Sequence, residues 1–195
     1  MTALLPCLAL ALGLLDGSPA SSPPSASALR RAAEAGGRAW VRVQATASGP
    51  GVLVGADGQV LTVDHLLRGE SALVQVAGAQ RPAHLLQRLP SLGLVLLGIE
   101  GEGPFEPPGT RDEPATAGEW VVSVGEKGAS PELGRVTRAP AGPWFEVSLQ
   151  LRPGSPVLDG RGKLLGIATA RLKKGTRVAA LPAVRLQLQA GGGVR

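Results

Sequence analysis

From residue 40 onward the chain is a succession of short apolar or alternating runs punctuated by glycine, proline and aspartate. Alternation with a period of two sends one set of side chains to a buried face and the other to water, which is the pattern of a half-buried strand. Runs at 41–46, 52–55, 59–63, 72–77, 83–88 and 92–99 predict six strands. A stretch rich in proline and glycine, 101–118, interrupts the pattern. Six more strands are predicted at 120–125, 133–138, 144–149, 155–159, 163–170 and 177–181. Two groups of six around a connection are what a pair of closed antiparallel barrels requires. Asp57-Gly58 and Asp159-Gly160 sit at reversals between apolar runs and echo each other across the connection. Asp-Gly is a favoured pair in tight hairpins. Residues 183–190 predict a short helix, with Pro182 near its start and Gly191 past its end.

Ahead of the barrels lies an apolar run at residues 4–15, short for a bilayer span, followed by the small residues Ser18-Pro19-Ala20. Residues 1–20 therefore read as a signal peptide, although no Lys or Arg precedes the apolar run. Residues 21–38, rich in Ser, Pro and Ala, read as a linker. The folded domain is expected at 39–190: first barrel 39–100, connection 101–118, second barrel 119–182 and terminal helix 183–190. Residues 191–195 form a tail. This organisation predicts an exported protein, periplasmic or extracellular, with no integral membrane span after removal of the signal.

Composition agrees with an all-β chain. Among 195 residues, 28 Gly and 17 Pro against three Trp and two Phe suit many short strands better than long helices. The net charge of +5 raises the question of nucleic acid. The arginines, however, are scattered among acids and prolines, and no basic helix or aromatic-interleaved basic stripe occurs, so no nucleic-acid partner is expected. The densest basic cluster, 171–177, reads as a solvated hairpin tip. Cys7 is the single cysteine, so neither an intrachain disulfide nor a Cys/His metal site is expected, and no cofactor is implied.

Several segments, in order, resemble the trypsin-like serine protease domain of the HtrA/Deg type. Residues 51–66, ending in Thr62-Val63-Asp64-His65-Leu66, are similar to the hairpin that leads into that family's catalytic histidine. Gly118-Glu119-Trp120-Val121-Val122-Ser123-Val124-Gly125 resembles the strand that opens its second barrel. Leu133-Gly134-Arg135-Val136-Thr137, the hairpin from Pro156 to Gly166-Ile167, and Ala180-Leu181-Pro182 match further pieces in register. The resemblance implies a trypsin-like double six-stranded barrel with a short C-terminal helix and a degenerate catalytic set. The family's usual PDZ module would follow where this sequence stops.

What the resemblance implies for chemistry is specific. Acyl transfer on this scaffold needs a serine nucleophile, a histidine base, an orienting carboxylate and two backbone N–H groups for the oxyanion. His65 fills the base position as a remnant. Ser91 stands where the family has its aspartate; it accepts a hydrogen bond but carries no charge. Asp64, adjacent to His65, should point its side chain elsewhere. For the nucleophile two alignments compete: ungapped, the position is Pro153; with a contracted loop it is Ser155. In both, Pro153 falls on an oxyanion donor position, and proline has no N–H. The inherited first pocket would be walled by Ile167, Ala168, Thr169 and Ala170, small and uncharged, which predicts a preference for apolar side chains. The sequence thus points to a pseudoprotease that binds peptide or protein segments. The alternative is a weak serine endopeptidase using His65 and Ser155.

Overall fold

The computed structural model describes residues 22–126 and 129–191. The segment expected to be a signal peptide, 1–20, and residues 192–195 of the expected tail lie outside them.

Twelve strands close into two barrels. The first is built from β1 (Trp40–Gln44), β2 (Ser48–Leu53), β3 (Gln59–Val63), β4 (Ser71–Val76), β5 (Ala79–Leu89) and β6 (Leu94–Ile99). The second is built from β7 (Trp120–Ser123), β8 (Glu132–Ala141), β9 (Trp144–Val147), β10 (Pro156–Asp159), β11 (Leu164–Leu172) and β12 (Gly175–Ala180). Around the first barrel the order is β1-β2-β3-β6-β5-β4, and around the second β7-β8-β9-β12-β11-β10, so the topology is duplicated. The two Asp-Gly hairpins are not equivalent in it. One joins β2 to β3, and the other joins β10 to β11, whose counterparts are β4 and β5. The internal repeat is carried by strand order.

All strand pairs are antiparallel, and alternation drives the packing. In β1, Val41 and Val43 are buried while Trp40, Arg42 and Gln44 are partly exposed. β6 is buried along its whole length. The core of the first barrel runs on into Leu158, Leu164 and Ile167 of the second. A second cluster, around Val121, Phe145, Val157 and Val178, fills the second barrel. Each such side chain contributes about 1.5–3 kcal/mol when taken out of water. The connection between barrels is not loose: Thr110 bridges Leu164, and Leu164 N donates to Gly109 O at 2.7 Å.

The linker expected at 21–38 is corrected by helix α1 (Ala26–Ala39), which occupies most of it. Ser25 caps the helix, its Oγ accepting from Ala28 N at 3.2 Å, so the Ser/Pro stretch ends in a start signal. The buried face is Ala32, Gly36 and Ala39. A Cβ at Gly36 would stand 2.5 Å from Leu158 Cδ1 and 2.7 Å from Val124 Cγ2. These small residues let the helix backbone lie directly on the second barrel. At the other end, α2 (Leu181–Gly191) packs on β11 and β12 of its own barrel and reaches across to β5 of the first, where Gln87 Nε2 donates to Gln187 O at 3.1 Å. Each terminal helix therefore clasps the barrel remote from it in sequence.

Neighbouring glycines of α1 provide a matched test. Gly36→Val should force Leu158 and Val124 aside and cost about 1–3 kcal/mol. Gly37→Ala meets nothing within 4 Å and should gain about 0.5–1 kcal/mol from helix propensity alone. Denaturant midpoints of the two variants should move in opposite directions, and equal shifts would deny that α1 is docked.

Candidate functional site

A cleft of about 570 Å³ opens between the barrels. The first barrel gives it Trp40, Arg42 and the Ser48–Pro50 end of β2, and the second gives it residues from β7 and β8, the loop before β10, and Arg171 of β11.

The loop before β10 is pinned at several points. Leu151 N donates to Thr176 Oγ1 at 2.9 Å, and that hydroxyl donates to Leu149 O at 2.7 Å. Arg152, Pro153, Gly154 and Ser155 then form a tight turn closed by Ser155 N to Arg152 O at 3.1 Å. Pro153 presets φ at the second position, and Gly154, at φ +96°, supplies the left-handed third position of a type II turn. Gly154 N donates to Ala168 O at 2.7 Å, and Ala168 N donates to Ser155 O at 2.9 Å, which extends the β10–β11 ladder. The N–H groups of Leu151, Gly154 and Ser155 are thus all paired within the protein, and Pro153 has none.

His65 lies in a single 3₁₀ turn, Asp64–Leu66, and is exposed. Among the described residues its side chain makes no hydrogen bond or ion pair. Asp64 is paired with Arg88, which also donates to Gly69 O at 3.0 Å, so its carboxylate is drawn away from His65. Ser91 lies in a second 3₁₀ turn, Pro90–Leu92, and its Oγ accepts from Gln187 Nε2 of α2. The two turns are neighbours, because Asp64 N donates to Gly93 O at 2.9 Å. No hydrogen bond joins Ser91 to His65. Ser155 lines the cleft, 8% exposed, and His65 does not. No hydrogen bond joins those two side chains either.

The residues expected to wall the first pocket, 167–170, lie on β11, with Thr169 and Ala170 half-buried. Ile167 and Ala168 are wholly buried in the core, and Thr169 Oγ1 donates to Arg177 O at 3.2 Å. None of Ile167, Ala168, Thr169 and Ala170 lines the cleft. β11 shifts register between Ala168 and Ala170, and beyond the shift Arg171 reaches the cleft, its Nε donating to Leu151 O at 2.9 Å. The basic cluster at 171–177 is therefore divided. Lys173 and Lys174 form the exposed hairpin tip, and Arg171 serves the cleft. Sequence reasoning missed Arg171 and Arg152 as cleft residues; the flanking position of Arg152 beside Pro153 was the available signal.

The densest electrostatic cluster sits at the other end of β7, beside a second cavity of about 710 Å³. Arg111 forks onto Glu119, with Nη2 to Oε2 at 3.0 Å, and lies 3.6 Å from Asp159 Oδ2. Burial alone would push the Glu119 carboxyl up. The Arg111 hydrogen bond, the Thr116 N–H and the guanidinium charge together outweigh it and hold Glu119 below its usual value. The hydrogen bond to Glu119 raises Arg111 in turn, against its own desolvation. Asp159 Oδ1 accepts from Arg161 N and Lys163 N, both at 2.9 Å, so this carboxylate organises the β10–β11 hairpin. The cluster ties the connection to the second barrel. Among the described residues, no three His, Cys, Asp or Glu side chains gather so as to hold a metal ion. No helix among them is long and apolar enough to cross a membrane.

Comparison with known proteins agrees with the geometry. The Trypsin-like peptidase domain profile matches residues 49–167, and the chain belongs to that family. No curated protein matches the sequence. Among solved structures, the Rv3671c protease in its inactive form superposes with a TM-score of 0.72 at 20% identity, over 88% of this chain and 98% of that one. The Ser343Ala mutant of Rv3671c from M. tuberculosis H37Rv gives 0.74 at 21% identity, over 91% of this chain and 98% of that one. The HtrA-type protease AlgW, solved with a tripeptide, gives 0.71 at 18% identity, over 85% of this chain and 63% of that one. At these identities the likeness is one of fold.

Glu119→Gln should lower stability at neutral pH by about 1–3 kcal/mol, because it removes a charged partner from Arg111. A carboxyl whose folded pKa is depressed stabilises above its unfolded value, about 4.3, and loses that contribution as pH falls through the folded value. The gap between wild type and variant should therefore hold steady above about pH 5 and shrink below about pH 4. Urea titrations across that range would detect it, and a gap independent of pH would contradict the assignment.

Proposed function

We propose that the protein is an exported trypsin-like pseudoprotease that holds extended peptide segments in the inter-barrel cleft and does not cleave them. The observation that carries this reading is the state of the N–H groups around the 152–155 turn. Under the ungapped alignment the oxyanion donors would come from Leu151 and Pro153; the first is bonded to Thr176 and the second does not exist. Under the contracted alignment they would come from Pro153 and Ser155, and the Ser155 N–H is bonded to Arg152 O. Loss of one such donor costs about 10²–10³ in rate. Ser91 in the acid position offers no charge to an imidazolium, and its hydroxyl is engaged by Gln187. Loss of the acid costs about 10⁴. His65 is then a remnant base with nothing to orient it.

Peptide binding is supported by the cleft itself and by AlgW, whose structure was solved with a tripeptide. Folds of this kind take ligands as extended chains, where backbone hydrogen bonds supply affinity and side-chain pockets supply selection. Export is supported by the apolar run at 4–15 and the small residues after it.

The full chain should not hydrolyse casein and should not react with a fluorophosphonate probe. Ser91→Asp alone should recover nothing measurable, because members of a catalytic set act as a unit. Labelling that disappears in Ser155→Ala would replace this reading with a weak endopeptidase using His65 and Ser155. For export, N-terminal sequencing of protein recovered outside the cytoplasm should begin near Ser21, or after Ala26 or Ala28. Intact Met1 in a soluble cytoplasmic pool would contradict it.

A further inference from the structure

We propose that the cleft selects peptides that carry a carboxylate, which Arg152 and Arg171 bind between them; this rests on the cleft being a peptide site. The charges facing the cleft are Arg42, Arg152, Arg171, Glu126 and Glu132. Arg42 and Glu126 are spent on each other in an ion pair. Among the described residues, neither Arg152 nor Arg171 has an acidic partner within 4 Å. Glu132 lies on β8, and both free arginines lie on the loop and on β11. One wall of the cleft thus carries two uncompensated guanidinium groups.

They are also held together. Arg171 uses only Nε, donated to Leu151 O at 2.9 Å, and keeps both terminal NH₂ groups for a ligand. That acceptor belongs to the residue immediately before Arg152. Gln150 Nε2 donates to Leu172 O at 3.3 Å and Leu151 N to Thr176 Oγ1 before the Arg171 contact, and Gly154 N donates to Ala168 O at 2.7 Å after it, so the loop is fastened to β11 and β12 on both sides. Arg152 precedes Pro153, which restricts its backbone to extended conformations. Two forks presented from a fixed backbone fit the paired oxygens of a carboxylate, and little ordering cost remains at binding. A compact, strongly hydrated ammonium would not serve in the same way. The carboxylate is either the side chain of Asp or Glu or the α-carboxylate of a chain end.

The experiment is fluorescence anisotropy of the full chain with four fluorescein-labelled Ala/Val pentapeptides. One has a free C-terminal carboxylate, one is amidated, one is amidated with a central glutamate, and one is amidated with a central lysine. At least one carboxylate peptide should bind about tenfold or more tightly than the amidated neutral peptide, and the margin should fall with added salt. The terminal and central carboxylates separate the two sources. The double variant R152E/R171E should transfer the preference to the lysine peptide, and R161E, beside the other cavity, should leave it unchanged. Arg171 supports the loop, so R152E alone is the second variant; the Arg152 side chain is exposed and makes no hydrogen bond or ion pair among the described residues, and its replacement should cut the margin without moving the unfolding midpoint. Charge-blind binding in the natural sequence, or a margin that survives R152E/R171E, overturns the carboxylate assignment and leaves peptide binding intact. If none of the four peptides binds, the peptide reading fails and this inference fails with it.

Discussion

The seam between the barrels depends on one place where two backbones touch with no side chain between them. A Cβ at residue 154 would overlap the carbonyl oxygen of Pro50, so the close approach demands glycine, as does the positive φ. The same carbonyl accepts from Thr62 Oγ1 at 2.8 Å, a hydroxyl with no exposure to solvent. Two strands of one barrel and a turn of the other therefore converge on a single oxygen. β2 is thin where this happens. Beside Pro50, Gly49 admits Leu66, whose Cδ1 would stand 2.7 Å from a Cβ there. Leu66 belongs to the turn that carries His65. The backbone of β2 thus sets the position of both turns on which the resemblance to a protease rests.

That seam has an energetic reading. A site built for acyl transfer keeps N–H groups aimed at a place where charge will develop, and they lack a protein partner until substrate arrives. Leaving a buried donor unpaired costs about 1–3 kcal/mol. Here Leu151, Gly154 and Ser155 have partners at 2.9, 2.7 and 3.1 Å, and Pro153 has no N–H to offer. The local minimum is a satisfied turn, and opening it would mean breaking the β10–β11 ladder where Ala168 holds it.

The succession of strands and the two barrels were legible in the sequence because the alternation of buried and exposed positions is strong in elements such as β1 and β4. Edges were less so. β5 begins at Ala79, four residues before the predicted start, because Gln80 and Arg81 face outward and dilute the apolar signal. Helix α1 was missed for a different reason: its buried face is Ala and Gly, and small residues bury closely without raising hydropathy. At the candidate site, the resemblance located His65, Ser91 and the 152–155 turn in sequence. It could not say which N–H groups were spent or where Ser91 would bond. Arg171 was missed as a cleft residue because a shift of register between Ala168 and Ala170 changes which residues beyond it face the cleft, and such a shift leaves no mark in the pattern of residues.

The crossed packing of the two helices has a mechanical consequence. Force entering the folded part at its N-terminal end meets α1, which rests on β7 and β10 of the second barrel before the chain reaches β1 of the first. Force entering at the C-terminal end meets α2, which is keyed to β5. Tension between the ends is therefore borne across the seam, as a strap buckled over both halves bears it. A tether at either end would be able to act on the spacing of the barrels without touching the cleft.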